Sequence, residues 1–407
     1  MAASHANVVA EAVLAQFSKL PAKRKPKVRD NGLHEWVPIS GIVAENNGSF
    51  TCVTLATGMK CLPVSKMLEC NGVGLHDWHA EILAIRTFNR CILEECTRVI
   101  DGGTSDLVER TTSCSTSAWP FRLRPGVKLH MYASEAPCGD ASMENLMAAQ
   151  EDASPWDVPS QSEAEAGAPQ QQLLLPGRAY FSQLGVVRRK PARSDAPATL
   201  SKSCSDKLAL KQCTSLLSSL TALFVDPSNA YIDTLVLPED QYCAAACRRA
   251  FSATGRMSVL AAGEAASHGH GFRPFSVATT TAQFAYSRRA VRSRSSDAEL
   301  VASNLAAAWS SSGLEESILG GVVQGHKPFL PRGASRMSRR SMWLAARELA
   351  ARLPDRPALL AQLTADTYCR VKQGSLLEAR IKIKGRAREG ALQGWVRNTG
   401  DDSFGME

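Results

Sequence analysis

The sequence predicts an α/β fold: a mixed central β-sheet flanked by helices, with a helical C-terminal extension. Two observations lead there. Strand-like runs at 36–43, 50–55, 127–134 and 231–237 alternate with helical-period runs at 78–96, 203–220 and 239–252, and such alternation builds layered sheets. The chain is 407 residues long and 44% hydrophobic, enough for a sizeable core.

In order, residues 6–20 place Val9, Val13, Leu14 and Phe17 at helical spacing, and a basic, proline-containing link fills 21–29. The strands at 36–43 and 50–55 are separated by the turn Asn46-Asn47-Gly48. The helix at 78–96 sets Ile82, Ile85, Phe88 and Ile92 on one face. Residues 101–120 are polar and Ser/Thr-rich, which reads as a surface loop. The strand at 127–134 feeds Cys138 and a helix to 150. Residues 151–176, rich in Pro, Gln, Ala and Glu, read as a flexible insertion. Residues 275–281 and 319–324 read as extended, and 335–352 and 368–391 as basic helices. No internal repeat is visible. Residues 1–56 form an N-terminal helix and the first strands, and 57–404 the main domain.

The net charge of +8 and pI near 8.9 favour an anionic partner. No apolar run approaches the ~18 residues of a membrane span, and residues 1–20 lack a secretory signal pattern. Twelve cysteines are scattered without a framework, so reduced thiols and a cytoplasmic or nuclear location are expected. No obligate protein partner is evident.

The chemistry starts at His79-Ala80-Glu81 and Pro137-Cys138. A histidine, a glutamate two residues on and a proline-preceded cysteine form the skeleton of zinc nucleobase deaminases, whose compact signature is H-x-E…P-C-x-x-C. Zinc makes water nucleophilic near neutral pH and needs three protein ligands with one position open. His79 and Cys138 are two of them, and Glu81 is placed to move protons. Position 141 is Ala, so the third ligand comes from elsewhere. Cys204 fits best, because Ser203-Cys204-Ser205-Asp206 has the composition of a helix start, where thiolates are favoured. Cys213 reads as core, Cys114 lies in a loop, and Cys243 with Cys247 read as packing cysteines. His268 and His270 read as solvated. A zinc-protease reading fails for want of a second His in H-E-x-x-H.

With Cys204 included, Asp77-Trp78-His79-Ala80-Glu81, Ala136-Pro137-Cys138-Gly139-Asp140 and Ser203-Cys204-Ser205-Asp206-Lys207 resemble the editase domain of the RNA adenosine deaminases, from about Thr57 to Phe404. The resemblance implies a layered deaminase-like fold, with zinc on His79, Cys138 and Cys204 and Glu81 as the catalytic acid/base. Residues 20–26, Glu35-Trp36, residues 40–43, Arg189-Lys190-Pro191 with Arg193 and Asp195, and Gln324-Gly325 resemble the tRNA-acting branch. Only ~50 residues precede the domain, too few for a duplex-RNA-binding module. That branch converts the adenosine 3′ of the anticodon of an alanine tRNA to inosine. An editase of duplex RNA and a non-catalytic tRNA-binding subunit are the alternatives.

The resemblance further implies a buried inositol hexakisphosphate, contacted by Arg86, Lys190, Lys207, Lys372, Lys382 and Trp395, with Asp77 and Lys190 as a polar relay to the zinc. Lys60 is the candidate contact to the target nucleotide phosphate. Read from charge spacing alone, Lys372, Arg380, Lys382, Lys384, Arg386 and Arg388 form a solvated face. Three positions depart from the family pattern: Ile85 replaces an Arg, Glu378 a Tyr and Trp78 a small residue.

Overall fold

The protein was analysed as a computed structural model that describes residues 4–111, 118–149, 175–176, 181–190, 196–261 and 268–406. Its main sheet has eight strands, in the order β10 (Ser276–Thr280), β9 (Ile232–Pro238), β6 (Lys128–Ala133), β2 (Ile39–Asn46), β3 (Ser49–Thr57), β12 (Ala306–Ser310), β13 (Glu315–Leu319) and β14 (Val322–Val323). β10, β9 and β6 are parallel, and every other pair is antiparallel. Three short pairs lie outside it: β1 (His34–Trp36) with β11 (Leu300–Ala302), β4 (Val108–Arg110) with β5 (Phe121–Leu123), and β7 (Leu175–Pro176) with β8 (Arg188–Arg189).

Helices cover both faces, because side chains alternate along each strand. Helix α1 (His5–Ser18) is capped by the Ser4 side chain, which accepts from the Asn7 N–H. It packs Val9, Val13 and Phe17 onto Ile39, Val43, Leu55 and Tyr132. A Cβ on Gly41 would lie 2.7 Å from both Val13 methyl groups, so a glycine is what lets α1 sit this close to β2. Helix α2 (Ala80–Ile100) takes the other face, with Leu83, Phe88 and Ile92 against Ile42, Val53, Ala56 and Met131. A β-bulge shifts the β2–β3 register between Ile42, which pairs with Thr54, and Val43, which pairs with Cys52, so Cys52 and Leu55 both face α1.

The remaining helices are α3 (Met143–Ala148), α4 (Cys204–Thr214), α5 (Ala244–Phe251), α6 (Ser258–Ala261), α7 (Arg288–Arg294), α8 (Arg339–Ala351), α9 (Pro357–Leu363), α10 (Tyr368–Gln373) and α11 (Glu378–Glu389). The C-terminal four join the α2 side of the core through Trp343, Leu363, Val371 and Ala387. Among the described residues no helix is long and apolar enough to cross a membrane.

Several boundaries differ from the sequence reading. The strand expected at 36–43 splits into β1 and β2 around Pro38, which has no N–H for a ladder. The helix expected at 368–391 breaks into α10 and α11, and the Gln362 side chain fills the gap, donating to the Val371 carbonyl and accepting from the Leu376 N–H. The helix expected at 203–220 stops at Thr214, before Ser215 at φ 59°. Residues 101–120 are not simply a surface loop, since β4 lies within them and Leu107 and Val108 are buried. Cys114, Arg193, Asp195 and most of 151–176 lie outside the described residues.

Candidate active site

Three segments deliver the chemistry to one end of the sheet. β3 ends at Thr57, and the chain returns to start α2 at His79, an N-cap in extended geometry (φ −60°, ψ 145°). Asp77 Oδ1 accepts from the His79 backbone N–H at 3.0 Å, which fixes the helix start. Glu81 follows in the first turn, buried.

β6 delivers Cys138, which stands just before a single 3₁₀ turn at Asp140–Ser142. Each member of Ser203-Cys204-Ser205-Asp206-Lys207 has a contact that explains it. Ser203 caps α4 by accepting from the Asp206 N–H, and Cys204 is the first helical residue. The Ser205 hydroxyl donates to the Pro137 carbonyl at 2.8 Å and accepts from the Ala141 N–H at 3.0 Å, which clamps the Cys138 loop. Asp206 accepts from the Arg188 N–H and from Arg256, and Lys207 pairs with Asp77. Gly139, at φ 102°, lies where a Cβ would come 2.3 Å from Ser203 Oγ. Gly139→Ala is therefore expected to spread Cys138 from Cys204, adding about 1–3 kcal/mol of backbone strain. Metal content by mass spectrometry should fall with activity, and full metal occupancy would show that the loop absorbs the Cβ.

These segments bring His79, Cys138 and Cys204 together, with ligand atoms within 4.8 Å of one another. Cys138 Sγ lies 3.8 Å from His79 Nδ1, and the Cys204 N–H donates to Cys138 Sγ at 3.3 Å. The Cys204 side chain, with Lys190 and His79 nearby, holds the Cys138 thiol well below its ordinary pKa against its burial. Lys190 Nζ also lies 3.2 Å from Cys204 Sγ. One imidazole nitrogen and two sulfurs on separate segments are the donor set of a three-ligand zinc site. Burial first, and the neighbouring Cys138 thiolate second, raise the pKa of Glu81, as suits an acid/base working near neutrality.

Behind this cluster lies the expected relay. Asp77 Oδ2 accepts from Lys190 Nζ at 2.8 Å, from Ser201 Oγ at 2.7 Å and from Lys207. Burial opposes its charge, but the two lysines hold its carboxyl well below the usual range. Asp77 and Lys207 border a cavity of about 730 Å³, lined also by Arg86, Lys211, Arg339, Lys372, Arg380, Lys384, Arg388 and Trp395. Ile85 lines it too, where the resemblance expects an arginine. Arg388 lies 5.4 Å over the Trp395 ring and Lys202 5.8 Å. Burial and neighbouring cations push Lys211 and Lys384 well below their ordinary pKa and Lys372 to about 8. Such crowding disfavours the charged forms, and an anion in the cavity would relieve it.

The cavity overturns two expectations. The 372–388 cations are not a solvated face: Arg380 is 6% exposed and donates to the Thr214 and Leu217 carbonyls. Lys382 does not reach the cavity but is exposed on another side of α11, and Lys384 lines the cavity instead. Residues 380, 384 and 388 share one face at helical spacing, and 382 lies about half a turn away. Arg339 and Lys211 were not foreseen, nor was His76, which borders the cavity with its Nε2 2.6 Å from Asp401 Oδ2.

Other candidates fall as follows. Lys60 is half-buried, and its carbonyl accepts from the Trp78 N–H at 3.0 Å, beside the site. Cys213 and Cys247 are buried and Cys243 is half-buried at the start of α5, and none joins a metal-ligating group among the described residues. His270 is not solvated: it is buried, with burial and Arg380 lowering its pKa to about 3.

Comparison with known proteins fits this geometry. The adenosine-deaminase (editase) domain family matches residues 54–399. A tRNA-specific adenosine deaminase 1 of Schizosaccharomyces pombe is 40% identical over 285 residues, 69% of this chain and 70% of that protein. Its namesake in Saccharomyces cerevisiae is 33% identical over 231 residues, 56% of each chain. The double-stranded RNA-specific editase Adar of Drosophila melanogaster is 25% identical over 248 residues, 58% of this chain and 34% of that one. Because the matched span takes in both helix starts and the cavity behind them, the chain belongs to the adenosine-deaminase (editase) domain family.

Proposed function

We propose that this chain is a zinc-dependent hydrolase that converts adenosine to inosine in tRNA, at the adenosine 3′-adjacent to the anticodon of an alanine tRNA. The observation that carries the reading is the convergence of His79, Cys138 and Cys204 beside the buried carboxyl of Glu81. The tRNA assignment is supported by the 40% identity to a tRNA-specific deaminase, against 25% to a duplex-RNA editase. The alternative of a non-catalytic subunit is disfavoured because Glu81 and the three ligand side chains are all present.

Zinc held by these three side chains supplies a Lewis acid that brings the pKa of water near ~7. Glu81 accepts the proton of the attacking water on a carboxylate oxygen and passes it to N1 of the adenine as the new C6–O bond forms. Glu81 then takes the remaining proton from the new C6 hydroxyl and delivers it to the C6 amine; the C6–N bond breaks as the C6 carbonyl forms, and ammonia leaves. Lys190 steadies Cys204 and Asp77, and Asp77 holds the His79 backbone. Lys60 is the proposed contact to the nucleotide phosphate. A loop adenosine suits the site because its extrusion loses less stacking than one in a duplex. The cationic cavity fits inositol hexakisphosphate, with Arg86, Lys207, Lys372, Arg380, Lys384 and Trp395 around it.

The test is inosine formation on unmodified alanine tRNA, sequenced by position, in competition with a long RNA duplex. Inosine next to the anticodon, undiminished by competitor, is expected. Preferential editing of the duplex would overturn the substrate assignment, and inosine in neither RNA would overturn the enzyme reading.

A further inference from the structure

The catalytic end of the sheet carries a second, outlying feature. β1 leads into β2 and β11 into β12, so the β1–β11 ribbon stands at the end of the sheet where β6 hands the chain on to Cys138. Helix α7 packs on both strands of the ribbon. Arg289 ties α7 to the segment entering the site: its guanidinium lies 2.9 Å from Glu135 Oε2 and 2.5 Å from Asp240 Oδ2, and donates to the Ser134 carbonyl at 3.2 Å. The ribbon and α7 are thereby fixed to the segment that leads into Cys138.

Their charge is lopsided. Residues 22–36 and 288–299 hold nine Lys and Arg against four Asp and Glu, more than half of the chain's net +8. Some of these cations are committed to the fold. Arg24 pairs with Glu315 and Arg29 with Glu35, each at 2.8 Å, and Arg289 with Glu135. Lys27, Arg288 and Arg294 are exposed and form no ion pair among the described residues. Arg288 Cζ lies 5.9 Å over the ring of Trp36, within reach of a cation–π contact that ties it to the ribbon. β1 also precedes residue 54, where the family match begins.

We propose that the β1–β11 ribbon and α7 form a docking surface for the phosphate backbone of RNA flanking the reacting nucleotide, with Lys27, Arg288 and Arg294 as the phosphate contacts. Exposed cations outside the fold's ion pairs, one of them (Arg294) anchored by a bond to the Ala285 carbonyl, position RNA without reading its sequence, and a guanidinium suits a phosphate. This inference rests on the RNA-substrate reading given above.

The test separates the two. Binding of alanine tRNA is measured across a salt series in Glu81→Ala protein, with and without Lys27→Ala, Arg288→Ala and Arg294→Ala together; melting temperature and zinc content report folding. The triple variant is expected to bind about tenfold or more weakly, with the slope of log K against log salt shallower by roughly 0.7–0.9 for each phosphate no longer neutralised. The charge-conserving triple, Lys27→Arg, Arg288→Lys and Arg294→Lys, should recover the slope. Unchanged affinity and slope in a folded alanine triple would overturn the docking surface. Failure of the substrate reading shows separately, as no inosine in tRNA from the parent enzyme.

Discussion

Glu81→Gln is expected to lower inosine formation on tRNA by at least about 10³-fold, within the range that a positioned acid/base contributes, while bound zinc stays at the parent level. The amide keeps the shape of the side chain but neither accepts the proton of water nor returns one to N1 and the leaving amine. The metal is untouched, because the ligand atoms belong to His79, Cys138 and Cys204. Stability should hold or rise. Glu81 is buried and its pKa is raised, so its ionised form is penalised in the fold and that penalty grows with pH above the unfolded carboxylate value. The neutral amide removes it. In the parent, kcat/KM should fall as pH is lowered through the raised pKa of Glu81, since the free enzyme needs the carboxylate. Cys204→Ser is the contrast: it should lose zinc and activity together. A Glu81→Gln protein that makes inosine at even a tenth of the parent rate would remove Glu81 from the proton path.

What the sequence disclosed and what it concealed divide along a physical line. His79-Ala80-Glu81 and Ser203-Cys204 were legible because each is a helix start, and starts have local signatures in capping residues and in the apolar period that follows. α2 and the strands around it were legible for the same reason, since an element half in contact with the core repeats its apolar positions. The cationic cavity was not legible. α11 carries Lys and Arg around most of its circumference, so no contrast between faces showed that 380, 384 and 388 turn inward while 382 turns out. A buried charge is anticipated only when its counter-charge is in the chain, and here the cavity's charged lining sets ten Lys and Arg against Asp77, Glu389 and Asp402. The resemblance supplied a polyanion and four cavity-lining residues, Arg86, Lys207, Lys372 and Trp395, but with Lys382 it took the wrong side of the helix. The break at Gly374 depends on Gln362, twelve residues upstream, and the Pro38 split was visible only as a proline inside a strand-like run.

In protein carrying a bound polyanion, Lys384→Glu is expected to destabilise the fold by on the order of 3–5 kcal/mol, because it removes one partner of a buried charge pair and sets a carboxylate against the anion, and the native protein is expected to release organic phosphate when denatured. The two outcomes share one cause. Lys384, Lys211, Lys372 and Arg380 line a single cavity, where burial lowers the pKa of each and neighbouring cations lower Lys384, Lys211 and Lys372 further. Without an anion, part of this set must shed protons for the fold to persist. Lys372 shows the sign: its folded pKa is about 8 against an ordinary 10.5, so between those values the unfolded chain binds more protons than the folded one. Stability of phosphate-stripped protein must therefore rise with pH from about 8 to 10.5 and carry the full penalty below 8. A bound polyphosphate reverses the balance, because it favours the charged lysines, and the rise should vanish in the native protein. Thermal melts from pH 7 to 10, with and without inositol hexakisphosphate returned to the stripped protein, read the difference directly. Phosphate-free native protein with a flat profile would mean that the cavity is neutralised in another way. The same anion would touch Lys207, which pairs with Asp77, and Asp77 holds the start of α2 through the His79 N–H. Filling the cavity thus sets both the stability of the C-terminal helices and the placement of the metal-binding histidine, so stripped protein should lose zinc affinity along with its thermal stability.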